Sequence, residues 1–174
     1  MWKGLVLFFA FVALASGQES TAVSTCVVFD GPLPINTYIE GCITPPCLLP
    51  QLQDVVLHII FQAPHTIRSM RTLARALLIG TIGINHPLEE QEVTCNFLTN
   101  TYCPILKDEV VQYTLRMYIE PTFFVGTAVT IEFRIVDNDT DHEVMCIRVP
   151  VRIVAAIAQP QGRGNSTILI DTKH

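Results

Sequence analysis

The sequence has none of the short signatures that announce an enzyme: no His-Glu-x-x-His, no Gly-x-Ser-x-Gly, no phosphate loop and no dinucleotide fingerprint. Its five histidines, His58, His65, His86, His142 and His174, are scattered along the chain. Catalysis and cofactor chemistry therefore have no positive support, and neither is expected. Zinc is equally unsupported, because no two cysteines stand at two-residue spacing and no histidine follows at the usual interval. The densest polar run, Asp137 to Glu143, starts like a calcium loop. It carries His142 where that loop needs glycine and Arg148 where it needs the closing glutamate, so it reads as a solvated hairpin tip and no metal site is expected.

Positive charge is scarce as well. Eleven Lys and Arg against 16 Asp and Glu give a net charge of -5, which becomes -6 when Lys3 is set aside with a leader. Such a chain offers no general electrostatic attraction to nucleic acid or to an anionic membrane. Long apolar runs are missing beyond the first residues: Val55 to Phe61 contains His58, and Ile147 to Ala158 is broken by Arg148, Pro150 and Arg152. The C-terminal Ile168 to His174 is too short and polar for a lipid-anchor signal.

What is present points to export. Residues 1–17 combine Lys3, an apolar run from Leu5 to Ala15 and the small residues Ala15, Ser16 and Gly17, the pattern of a secretory signal peptide. One domain is expected over 18–157, with a flexible tail over 158–174. Six cysteines, all beyond the leader, fit an oxidising compartment and three disulfides whose pairing sequence alone leaves open. Spacing favours Cys42 with Cys47 and Cys95 with Cys103, which leaves Cys26 for Cys146. Two glycosylation sequons, at Asn138 and Asn165, are compatible with secretion.

Three segments alternate with period two, the mark of a strand with one buried face. Val111, Tyr113, Leu115, Met117 and Ile119 share one phase; Val129, Ile131, Phe133 and Ile135 share the same odd phase; so do Met145, Ile147, Val149, Val151 and Ile153. Three half-buried antiparallel strands need an apolar partner layer, which the N-terminal half must supply. Val55, Leu57, Ile59 and Phe61 form such a face, with His58 on the other side. Between these lies a conflict: Met70, Leu73, Ala74, Leu77 and Leu78 have helix spacing and helix-friendly composition, although the neighbourhood is all-β. At the end of the strand through Met117, the residues Tyr118, Ile119, Phe123 and Phe124 cluster around Pro121, where a sandwich would open; they read either as ordinary core or as the mouth of an apolar ligand cavity.

The order and spacing of the cysteines, Cys103-Pro-Ile-Leu-Lys-Asp108 leading into a strand, and Cys146-Ile-Arg-Val-Pro-Val-Arg-Ile-Val154 closing the domain together resemble the ML (lipid-recognition) domain family, and within it the Niemann-Pick type C second-protein sterol carriers. The resemblance spans Cys26 to about Val154. It implies an immunoglobulin-like two-sheet β-sandwich with the disulfide pairing favoured above, an apolar cavity between the sheets, and a strand rather than a helix over residues 69–80. It further implies a secreted or endolysosomal protein that binds and transfers a sterol or similar lipid without catalysis. The expected partners are that lipid and a donor or acceptor membrane or a membrane sterol transporter, the protein itself being a monomer. Alternatives in the same family are a lipid-sensing accessory of an innate immune receptor and a carrier of fatty acids or semiochemicals. Entrance positions of the sterol-carrier branch fall on Ile119, Phe123 and His86, with Tyr118 and Phe124 beside them. Leu57, Ile59, Val111, Tyr113, Leu115, Ile131, Phe133 and Val149 are the candidate cavity lining. Two features depart from that branch. His86 stands before Pro87 where a phenylalanine is usual, and Thr25-Cys26-Val27-Val28 replaces the usual Asp-Cys-Gly-Ser start.

Overall fold

The computed structural model describes residues 19–79 and 82–157. The expected leader over 1–17, the tail over 158–174 and Asn165 lie outside the described residues. Among the described residues eight strands follow one another: β1 (Asn36–Ile39), β2 (Cys47–Pro50), β3 (Asp54–Gln62), β4 (Met70–Ile79), β5 (Ile82–His86), β6 (Val110–Tyr118), β7 (Ala128–Asp137) and β8 (Glu143–Val154). They form a sandwich of two sheets, one of three strands in the order β1-β3-β6 and one of five in the order β2-β8-β7-β4-β5. All pairings are antiparallel except β2 with β8.

Alternation decides which side chains meet between the layers. From the small sheet, Leu57, Ile59 and Phe61 of β3 and Val111, Tyr113 and Leu115 of β6 are buried. From the large sheet they meet Phe133 and Ile135 of β7 and Met145, Ile147 and Val149 of β8. The odd-phase reading of these strands is what the sheets realise. Residues 70–79, whose spacing alone would give a helix, form β4 instead. Its backbone pairs on both sides, with β7 from Met70 opposite Asp137 to Leu77 opposite Thr130, and with β5 through Ala74 opposite His86. Pairing along both edges outweighs a weak local preference for helix. Met70, Thr72 and Ala74 then face the core, while Leu73 sits on the half-buried outer face.

Three disulfides hold the sandwich: Cys26–Cys146, Cys42–Cys47 and Cys95–Cys103. The second closes the connection by which the chain leaves the small sheet at β1 and joins the large one at β2. The first ties the segment before β1 to β8, where Ser24 also forms an antiparallel bridge with Arg148 and the Pro32 carbonyl accepts from the Cys146 N–H at 3.1 Å. Gly31 permits that approach, because a β-carbon there would lie 2.7 Å from the Cys146 β-carbon. The Arg134 guanidinium lies 3.4 Å above the Phe29 ring centroid and pairs with Glu143 at 3.0 Å.

Candidate functional site

At one end of the sandwich the two layers do not fill each other, leaving a cavity of about 220 Å³. Its cause is local and readable in the strands. On β4 the inward positions Ala74 and Ala76 oppose Phe133 and Ile131 of β7 on one side and His86 and Ile84 of β5 on the other. Two methyl groups occupy positions where neighbouring strands carry four-carbon or aromatic side chains, so the space in front of them stays empty. Leu49 of β2, Ile153 of β8, Val129 and Ile131 of β7, and Met117 and Ile119 at the end of β6 complete the wall. Only Asn85, His86 and Thr127 bring polar side chains to it. A void lined this way stays dry and favours an apolar occupant.

The mouth is built from two loops tied to each other. The Leu52 N–H donates to the Ile119 carbonyl at 2.8 Å and the Ile119 N–H to the Gln53 carbonyl at 3.0 Å. The Gly126 N–H donates to Ile153 at 2.8 Å, and the Gln51 amide donates to the carbonyls of Pro121 and Phe123. The Phe123 ring is thereby held against the core, with its centroid 5.6 Å from that of His86 in a tilted arrangement. His86 and Met117 are walls shared with a shallow outer groove of about 390 Å³. Asp54, Glu89, Glu90 and Glu120 line this groove, with Arg116 its one guanidinium.

The residues expected from sequence separate into three groups. His86, Ile119, Phe123 and Ile131 line the cavity. Leu57, Ile59, Val111, Tyr113, Leu115, Phe133 and Val149 lie in the core outside the cavity's lining. Burial raises the Tyr113 phenol, which remains un-ionised at any ordinary pH. Tyr118 and Phe124 point outward, Phe124 with 84% of its surface exposed. Sequence reasoning missed Leu49, Ala74, Ala76, Ile84, Asn85, Met117, Thr127, Val129 and Ile153. The signal for the alanines was there, as small residues on the inward phase of a strand, but their helix-friendly character pointed elsewhere.

The polar clusters away from this end are structural in their contacts. His65 Nε2 lies 2.7 Å from Asp137 Oδ2, and the same carboxylate accepts from Thr140 and from the Asp139 N–H. Burial acts to raise the Asp137 pKa, but these hydrogen bonds together outweigh it and the net shift is downward. They fasten the turn after β7, where the sequon residue Asn138 is exposed and also bonded to Arg71 and Ser69. His58 bridges Thr114 and Glu40 on the outer face of the small sheet. Among the described residues the one grouping of metal-ligand type is Cys26, Glu132 and Cys146. Its sulfurs are joined in a disulfide and have no thiolate to offer. Glu132 lies buried between Arg75 and Arg148 in the strand register.

The family model of the ML domain matches residues 20–153. The crystal structure of a Niemann-Pick type C2 protein from Japanese carpenter ant superposes with a TM-score of 0.65 at 16% identity, covering 76% of this chain and 98% of that one. Chicken MD-1 complexed with lipid IVa gives a TM-score of 0.42 at 13% identity, covering 64% and 75%. No curated protein sequence matches.

Proposed function

From the premise that this chain belongs to the ML domain family, we propose that it is an exported lipid-binding and transfer protein that buries a sterol or similar lipid between its two sheets without catalysis. One observation carries this reading: a cavity whose wall is almost wholly hydrocarbon, beside Phe123 and His86. Burial alone suffices for useful affinity. A sterol of about 28 heavy atoms, at about 0.3 kcal/mol per atom, reaches about -8 kcal/mol, near micromolar.

Size adds a condition. Pockets for ligands of this class run from roughly 300 to 1,000 Å³, above the 220 Å³ found here. A whole sterol therefore requires the mouth to widen, by outward movement of the edge strand β5 and the loop carrying Phe123. A single-chain amphiphile enters with less movement, which favours a carrier of single-chain semiochemicals as the second reading. Ile119 and Phe123 act as the gate in both. The experiment is mass spectrometry of lipids that co-purify with the protein from a secretory host, followed by titration with a fluorescent sterol and a fluorescent single-chain lipid. Saturable one-to-one binding is expected. Absence of binding by either probe, or turnover of a lipid ester, sinks the reading.

A further inference from the structure

The chemistry of the mouth changes over the width of one side chain. On the inner side of His86 the wall is hydrocarbon; on the outer side is the groove lined by Asp54, Glu89, Glu90 and Glu120 against Arg116. All four acids are exposed at residue level and face any group that protrudes from the cavity. The balance is four carboxylates to one guanidinium with His86 neutral, and four to two with it protonated. The rim is negative in either state.

Resting on the lipid-binding reading above, we infer that this rim sets the ligand's head-group class: the site accepts amphiphiles with an uncharged hydroxyl or a cationic amine and rejects those ending in a carboxylate or phosphate. An apolar body seated against Ala74 and Ala76 directs its polar end towards His86 and the groove, because the rest of the wall offers that end few partners. The His86 ring nitrogens can donate to or accept from a hydroxyl. An anionic head meets the field of the surrounding carboxylates at short range, where one uncompensated like charge about 6 Å away in an intermediate dielectric weakens binding about ten-fold.

The test uses the full protein and a matched series of saturated chains of equal length ending in alcohol, amine, carboxylate or phosphate, competed against one fluorescent single-chain probe at low ionic strength. The alcohol and amine are expected to displace the probe at concentrations at least about ten-fold lower than the carboxylate and phosphate, a gap that narrows as salt screens the rim. The variant Glu89→Gln/Glu90→Gln/Glu120→Gln is expected to close most of the gap by tightening the carboxylate and phosphate relative to the alcohol in the same competition. Equal or tighter binding of the carboxylate, or a gap that survives the triple substitution, overturns the inference while leaving lipid binding intact. Failure of every chain and of the probe to bind overturns both.

Discussion

Ala74→Leu tests the origin of the cavity directly, because filling a real void and overpacking a full core have opposite signs. Ala74 is 3% exposed and faces the void from the middle of β4. Engineered voids cost about 24 cal/mol per Å³, so leaving 220 Å³ empty forgoes roughly 5 kcal/mol of stability. Leucine adds three carbons, each worth about 0.8 kcal/mol when buried. Less about 0.5–1 kcal/mol of side-chain entropy, the ligand-free variant should be more stable by about 1–2 kcal/mol. For a domain of this size that is a rise in Tm of roughly 3–6 °C. The same three carbons displace an equal volume of ligand, so lipid affinity should fall by about 2.4 kcal/mol, roughly fifty-fold. Urea and thermal unfolding of delipidated protein, with a fluorescent-lipid titration, read both. In a core already full at Ala74, leucine would destabilise by about 1–3 kcal/mol. That result with unchanged lipid binding would refute the reasoning.

Phe123→Ala, with folding verified by circular dichroism, should accelerate lipid uptake and release in stopped-flow measurements; unchanged rates would remove Phe123 from the gate. The depressed Asp137 pKa means that its stabilising contribution is full above its unfolded-state pKa and is lost as pH falls through the lower folded-state value. Asp137→Asn should cost roughly 1.5–3 kcal/mol at neutral pH and flatten the acid limb of a stability-versus-pH curve. Replacing Cys26 and Cys146 together by alanine opens a bridge of sequence separation 120. Chain entropy assigns this about 5 kcal/mol, to be checked by denaturant midpoints against the wild type.

The sandwich was legible because four strands advertise their buried faces. The odd-phase residues of β6, β7 and β8 and the face Val55, Leu57, Ile59 and Phe61 of β3 specify which side chains meet. β4 was ambiguous. Met70, Leu73, Ala74 and Leu77 satisfy helix spacing, and only pairing with β5 and β7, distant in sequence, decides the outcome. The family resemblance supplied that decision where periodicity could not. Of the candidate cavity's lining, the sequence reading named Ile119, Phe123, His86 and Ile131 and left out the alanines in front of which the space lies. Alternation reports that Tyr113 and Ile131 both point inward, but not how large the residue across the gap is. Tyr113 is fully packed at one level, whereas Ile131 looks across empty space because Ala76 is its neighbour.

β8 is last in chain order among the described strands, yet it lies between β2 and β7, and Ser24 also pairs with it at Arg148. Synthesis therefore delivers the keystone after every stone that leans on it. Until residues 143–154 leave the ribosome, β2 has no neighbour, β7 has one bare flank and Cys26 has no sulfur to meet. The two short bridges can close early because their partners are five and eight residues apart, whereas the long one must wait. Maturation of this molecule is set by distant pairings, the slow kind, and its thiols are exposed to mispairing until translation of that final strand is complete.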